Sequence, residues 1–192
     1  MTFMEGFLGV LDAEPQGLHA VIAGDGPYLE IMREAAIARG AGSSVSFLGS
    51  IPHDQVIALQ RRCDIYVSLN PIGNLSNSNL EAIKSGACMI VSPTRTHRGA
   101  DVATDEFVAD DAVLRIASPD DSEGLTATLL HLHRNPESRR TLADTAAMVG
   151  RRSIPSWRDR IGSELTILED IAATGSSPDL TSRHRSATTS EY

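Results

Sequence analysis

The segment Asp64-Ile-Tyr-Val-Ser-Leu-Asn-Pro-Ile-Gly-Asn-Leu-Ser-Asn-Ser-Asn-Leu-Glu-Ala-Ile-Lys-Ser-Gly86 concentrates the groups best suited to chemistry. It reads as a buried strand, a polar Gly/Asn/Ser loop, and a helix with a glutamate in its first turn. Such a loop offers several backbone N–H groups at a helix N-terminus, where the partial positive charge favours an anion such as phosphate. The backbone amides from Leu75 through Ser76 and Asn77 to Ser78 are the candidate phosphate donors, with the side-chain amides of Asn74 and Asn77 beside them. Glu81 would be repelled by phosphate and suits a ribose diol, whose hydroxyls donate to its carboxylate. A purely structural alternative stands next to this one. Ser78-x-x-Glu81 matches a capping box, in which serine and glutamate satisfy each other's backbone N–H groups.

Other motifs carry less. Gly24-Asp-Gly-Pro27 sits at a strand-to-helix turn, but the third glycine of a dinucleotide-binding fingerprint would fall on Leu29. Arg95, His97 and Arg98 lie in a polar loop after an apolar run, where they read as a solvated loop or as ligand contacts. The remaining histidines are scattered, and no spacing suggests a zinc site. Cys63 and Cys88 each border an apolar run and read as two buried free thiols of a reducing compartment.

The elements that must position these groups alternate. His19–Ala23, Val45–Leu48, Asp64–Ser68, Cys88–Val91 and Val113–Ile116 are short apolar strands. Helical patterns fall over Phe3–Leu11, from Pro27 to Gly40, from Pro52 through Gln60, over Ser122–Arg134 and Pro136–Val149, and from Trp157 to Ala172. Short apolar strands spaced by helices predict an α/β fold, a Rossmann-like parallel sheet with helices on both faces. The 192 residues, 41% of them hydrophobic, suit one domain over 1–172, and the Ser/Thr-rich 173–192 reads as a disordered tail. The Phe3–Leu11 helix reads as the end of a βα unit whose strand is missing, so a larger protein is expected. A net charge of −8 argues against general nucleic-acid binding. No signal peptide or apolar run of membrane-spanning length is present, so a cytoplasmic protein is expected, peripheral association with a membrane being left open.

With these residues in view, the chain resembles the C-terminal half of a GT-B glycosyltransferase of the retaining family 4 type. The similarity is carried from about residue 6 to residue 172 by Ile22-Ala-Gly-Asp-Gly-Pro27, Val45-x-Phe-Leu-Gly49 with Ile51 and Pro52, and Cys63-Asp-Ile-Tyr-Val-Ser68. It continues in Asn79-Leu-Glu-Ala-Ile-Lys-Ser-Gly86, Met89-Ile-Val91, Pro119-Asp120 and Ser156-Trp157. The resemblance implies a domain that binds a nucleotide-diphosphate sugar. Of the family's paired glutamates, the ribose-binding one matches Glu81, whereas the sugar-contacting one falls on Gly73. Asn74-Leu-Ser-Asn77 resembles the Asn-Leu-Gly-Asn run of a related subgroup. The resemblance also places the base near the backbone of Ile51. Family members carry an Arg and a Lys ahead of the matched segment that neutralise the diphosphate; neither is found, and Arg95 and Arg98 are the candidates to replace them.

The expectation is a retaining glycosyltransferase whose partners are a nucleotide-sugar donor and an acceptor-binding N-terminal domain or separate chain, with no metal and no cofactor beyond the donor. A truncated or split donor-domain protein, binding nucleotide without catalysing transfer alone, is the alternative. A sugar-nucleotide epimerase shares the two-domain architecture, but the acid and base groups it needs are not assembled here.

Overall fold

The computed structural model describes residues 1–70, 76–93, 95–96, 99–100, Val108 and 110–174. The chain parts into two compact units, Met1–Ile154 and Pro155–Tyr192. The expected tail falls almost wholly on 175–192, outside the described residues.

The first unit runs α1 (Thr2–Ala13), β1 (Ala20–Ala23), α2 (Leu29–Ala38), a 3-10 turn (Gly42–Ser44), β2 (Val45–Gly49), α3 (His53–Arg62), β3 (Ile65–Ser68), α4 (Asn77–Ser85) and β4 (Cys88–Val91). It continues with β5 (Arg95–Thr96), β6 (Gly99–Ala100), β7 (Leu114–Arg115), α5 (Ser122–Arg134) and α6 (Pro136–Ser153). The second unit carries α7 (Trp157–Thr174), on which Arg160 reaches Glu164 at 3.0 Å, one turn on.

β4 explains the architecture. All four of its residues are buried, and they divide by alternation. Met89 and Val91 join Ala82 and Ile83 of α4 in one core cluster. Cys88 and Ile90 join Val10 of α1 and Leu125, Leu129 and Leu132 of α5 in another. A strand covered on both faces has no polar side, which is why Cys88–Val91 shows no alternation in its sequence. β3 and β7 flank it in parallel, and the ladder continues where the Ile116 N–H donates to the Val91 carbonyl at 3.2 Å. β1 and β2 form a second parallel pair, with Ala20 opposite Val45 and Ile22 opposite Phe47. Those residues pack under α1 and α2. The fold is therefore Rossmann-like, parallel strands between helices. It differs from one continuous sheet: the hydrogen-bonded strand orders are β1-β2 and β3-β4-β7.

Three local expectations are corrected. Pro27 does not open a helix. The Leu29 N–H donates to the Gly26 carbonyl at 3.0 Å, and Tyr28 sits at φ −96°, ψ −1°, so Pro27 supplies the fixed φ of a type I turn ahead of α2. The polar loop after β4 contains a short antiparallel pair, β5 with β6, Arg95 opposite Ala100. Finally, Cys63 is only half-buried while Cys88 is buried; both are free thiols.

Candidate functional site

β2 leads into the Ser50–Pro52 connection, β3 into the connection before α4, and β4 into Ser92 and β5. Residues 51 and 76 thus leave the C-terminal ends of their strands, the edge at which open α/β sheets take ligands.

The start of α4 is set by Ser76, not by Ser78. Ser76 is extended, at φ −89° and ψ 157°, and its Oγ accepts from the Asn79 N–H at 3.2 Å. The expected Ser78/Glu81 capping box is absent, and Glu81 falls in the second turn. The register is imposed from outside the helix. The buried Gln60 of α3 donates its Nε2 to the Ser78 carbonyl at 3.0 Å, and the Tyr66 hydroxyl of β3 donates to Asn79 Oδ1 at 3.3 Å. Ser76→Ala should therefore cost about 1 kcal/mol of stability in urea unfolding, and Ser78→Ala only a few tenths. The reverse ranking would reinstate the capping box.

Loss of the capping role leaves the Glu81 carboxylate available. Its Oε1 lies 3.4 Å from His53 Nε2, and both side chains reach solvent, Glu81 at 31% exposure. His53 opens α3 two residues beyond Ile51, so the two connections expected to hold base and ribose meet at this pair. Asn77 and Ser78 are exposed at the α4 N-terminus. The helical ladder starts with the Leu80 N–H on the Ser76 carbonyl, and among the described residues nothing accepts from the N–H of Asn77 or Ser78. Gly73, Asn74, Leu75 and Arg98 lie outside the described residues, as does the side chain of Arg95.

Sequence reading missed His53 and Gln60. Gln60 carried a signal: it is a polar residue on the helix face set by Val56 and Leu59, and a polar group in a core position needs a partner. His53 carried none, because only the fold brings it to Glu81.

Neither thiol is activated as a thiolate by its surroundings. Burial pushes the Cys63 thiol up and the Cys88 thiol up to about 11, although Arg139 pulls the latter down. Both stay protonated near neutral pH. Burial likewise raises the Tyr66 phenol, keeping it a donor to Asn79. Among the described residues no cluster of His, Cys, Asp or Glu is placed to hold a metal ion. No described helix is long and apolar enough to cross a membrane. Two surface hollows, of ≈140 Å³ beside Asp12 and Arg39 and of ≈300 Å³ beside Arg115 and His131, are lined by none of the candidate site residues.

The chain is 39% identical over 72 residues to the 2-deoxystreptamine N-acetyl-D-glucosaminyltransferase of Streptomyces fradiae, an alignment covering 38% of this chain and 17% of that enzyme. Among solved structures it is similar to the C-terminal domain of a glycosyl transferase group 1 family protein from Francisella tularensis. The TM-score is 0.67 at 18% identity, over 79% of this chain and 77% of that one. A glycosyltransferase from Rickettsia africae matches with TM-score 0.70 at 12% identity, over 90% of this chain but 44% of its own. The chain thus spans well under two thirds of the length of the curated relative. These structural likenesses establish the fold, that of GT-B C-terminal domains. The model of the glycosyl transferases group 1 family matches residues 7–148, and the chain belongs to that family.

Proposed function

We propose that this chain is the donor-binding part of a retaining glycosyltransferase, holding a nucleotide-diphosphate sugar at the junction of α3 and α4. The observation that carries the reading is the meeting of Glu81 with the Ile51–His53 connection, at the strand ends and next to uncommitted helix N–H groups. Glu81 accepts from the ribose hydroxyls and the Ile51 backbone faces the base. The N–H groups of Asn77 and Ser78, continued by Asn74 and Leu75, receive the diphosphate. Gly73 stands where the family's sugar-contacting glutamate falls, so the sugar contact passes to asparagine and backbone groups. Arg95 and Arg98 are the proposed cations for the diphosphate, since α4's dipole alone offsets only part of its charge.

In transfer, the bond between the sugar's anomeric carbon and the diphosphate oxygen breaks, and the acceptor oxygen bonds that carbon on the same face. The departing diphosphate takes the acceptor's proton. Amides fixed before the reaction stabilise the charge that develops on the leaving group. The acceptor is held by a separate domain or chain.

Calorimetric titration with UDP, GDP and ADP tests this. At least one should bind with Kd between about 10 μM and 1 mM, and the matching nucleoside monophosphate should bind about tenfold more weakly. Failure of all three would overturn the reading. The alternative reading is binding of the nucleotide without transfer by this chain alone. Donor binding without transfer to any acceptor, and without hydrolysis of the sugar nucleotide, would support it.

A further inference from the structure

His53, Val56 and Gln60 fall on one face of α3, at the spacing of successive helical turns. Gln60 is buried and donates to the Ser78 carbonyl of α4. Val56 is half-buried, and His53, in the first turn, is exposed. The buried bond of Gln60 fixes the rotation of α3 about its axis, and that rotation presents His53 to α4. Its Nε2 lies 3.4 Å from Glu81 Oε1. Among the described residues the Glu81 carboxylate has no partner besides His53.

Two opposing influences act on the imidazole. The first turn of α3 disfavours positive charge, because a helix N-terminus is itself partly positive. The Glu81 carboxylate favours it. Asp54 follows His53 in the same turn. The cationic side chains of the two helices stand at their far ends, Arg61 and Arg62 in the last turn of α3 and Lys84 in the last turn of α4. The Cys63 thiol after α3 and the Tyr66 phenol of β3 are both pushed up, chiefly by burial, and stay neutral. Among the described residues at this contact, His53 is thus the group of the type that changes charge near neutral pH.

That charge matters to whatever covers Glu81. A docked ribose strips water from a carboxylate that is partly exposed in the free protein, and a cation in contact offsets the loss. A side chain already held in place also gives up less freedom on binding. Both effects favour the imidazolium over the neutral ring.

We propose that His53 is a positioning residue for the donor's ribose. As an imidazolium it holds Glu81 Oε1 and leaves the other carboxylate oxygen to accept from the ribose hydroxyls. The role deepens the donor-binding reading above and rests on it. Preference for a ribonucleotide over its 2′-deoxy form then rises as pH falls through the histidine range, and a permanent cation at position 53 retains it.

The test is calorimetric titration of the 192-residue chain with the best-binding nucleoside diphosphate among UDP, GDP and ADP, and with its 2′-deoxy form, at about pH 8, about pH 7 and about pH 5.5. Both ligands carry the same phosphates, so the ratio of their Kd values is free of the ligand's own titration. In the unsubstituted chain the ratio should favour the ribonucleotide about 3- to 10-fold more at the lowest pH than at the highest. His53→Gln, neutral throughout, should hold the ratio flat at the high-pH level. His53→Arg should hold it flat at the low-pH level. The proposal is overturned by a ratio that ignores pH in the unsubstituted chain, as a merely structural contact would give. It is overturned equally by a rise that survives His53→Gln, or by a His53→Arg form that matches His53→Gln. Any of these leaves the donor-binding reading standing while the ribonucleotide binds and Glu81→Ala removes its preference. Absence of nucleotide binding overturns both.

Discussion

Glu81→Ala should weaken binding of the best nucleoside diphosphate by about 10- to 100-fold, with the urea unfolding midpoint hardly moved. Both halves follow from the position of the carboxylate. Hydrogen bonds to a charged acceptor contribute roughly 1.5–3 kcal/mol, and each 1.4 kcal/mol is tenfold in affinity. The stability term is small because Ser76, not Glu81, completes the cap of α4, and the partner of Glu81 is a His53 that is 67% exposed. A contact so placed contributes about 0–1 kcal/mol. The 2′-deoxy analogue supplies the control. The unsubstituted protein should prefer the ribonucleotide by a similar factor, and Glu81→Ala should abolish the preference. Equal losses for both sugars would place Glu81 away from the ribose. A large fall in stability at unchanged affinity would return it to a structural role.

Much of this was legible in the sequence, for reasons that differ by element. Cys88–Val91 announced a central strand because both its faces are apolar, and Ser122–Arg134 announced a helix whose bounds the structure reproduces. The start of α4 was not legible in the same way. Ser76, Asn77, Ser78 and Asn79 are all able to cap a helix, so local chemistry leaves the register open. It is closed by Gln60 and Tyr66, from other elements, which hold Ser78 and Asn79. Which strands bond to which was also hidden, because short apolar strands of like composition do not name their neighbours. Within the site, Glu81 stood out because a carboxylate just past an amide-rich helix start has an identifiable chemistry. His53 reads as an ordinary first-turn residue until α3 is laid beside α4.

Gly150→Ala should destabilise the protein by about 1–3 kcal/mol, against the direction that helix propensity alone predicts. In an open helix position the change from glycine to alanine stabilises by roughly 0.5–1 kcal/mol. At Gly150 an added Cβ would lie 2.9 Å from the Lys84 Cα, 3.0 Å from the Ile83 carbonyl oxygen and 3.2 Å from the Ile83 carbonyl carbon. These are backbone atoms, which cannot rotate out of the way, so α6 has to lift from α4. The seam has little slack nearby: Gly86, at φ +74°, ends α4 in the left-handed region, and a Cβ there would meet Ala147 at 3.2 Å. Gly162 of α7 is the internal comparison, with nothing within 4 Å of its added Cβ. Gly162→Ala should stabilise α7, read as helicity by circular dichroism. The same substitution at two helical glycines thus separates packing from propensity. Because α4 carries Ser76 and Glu81, any displacement forced by Gly150→Ala should also lower nucleoside diphosphate affinity. Full stability and affinity in that variant would mean that the α4–α6 contact is looser than these distances require, and that the donor site does not depend on it.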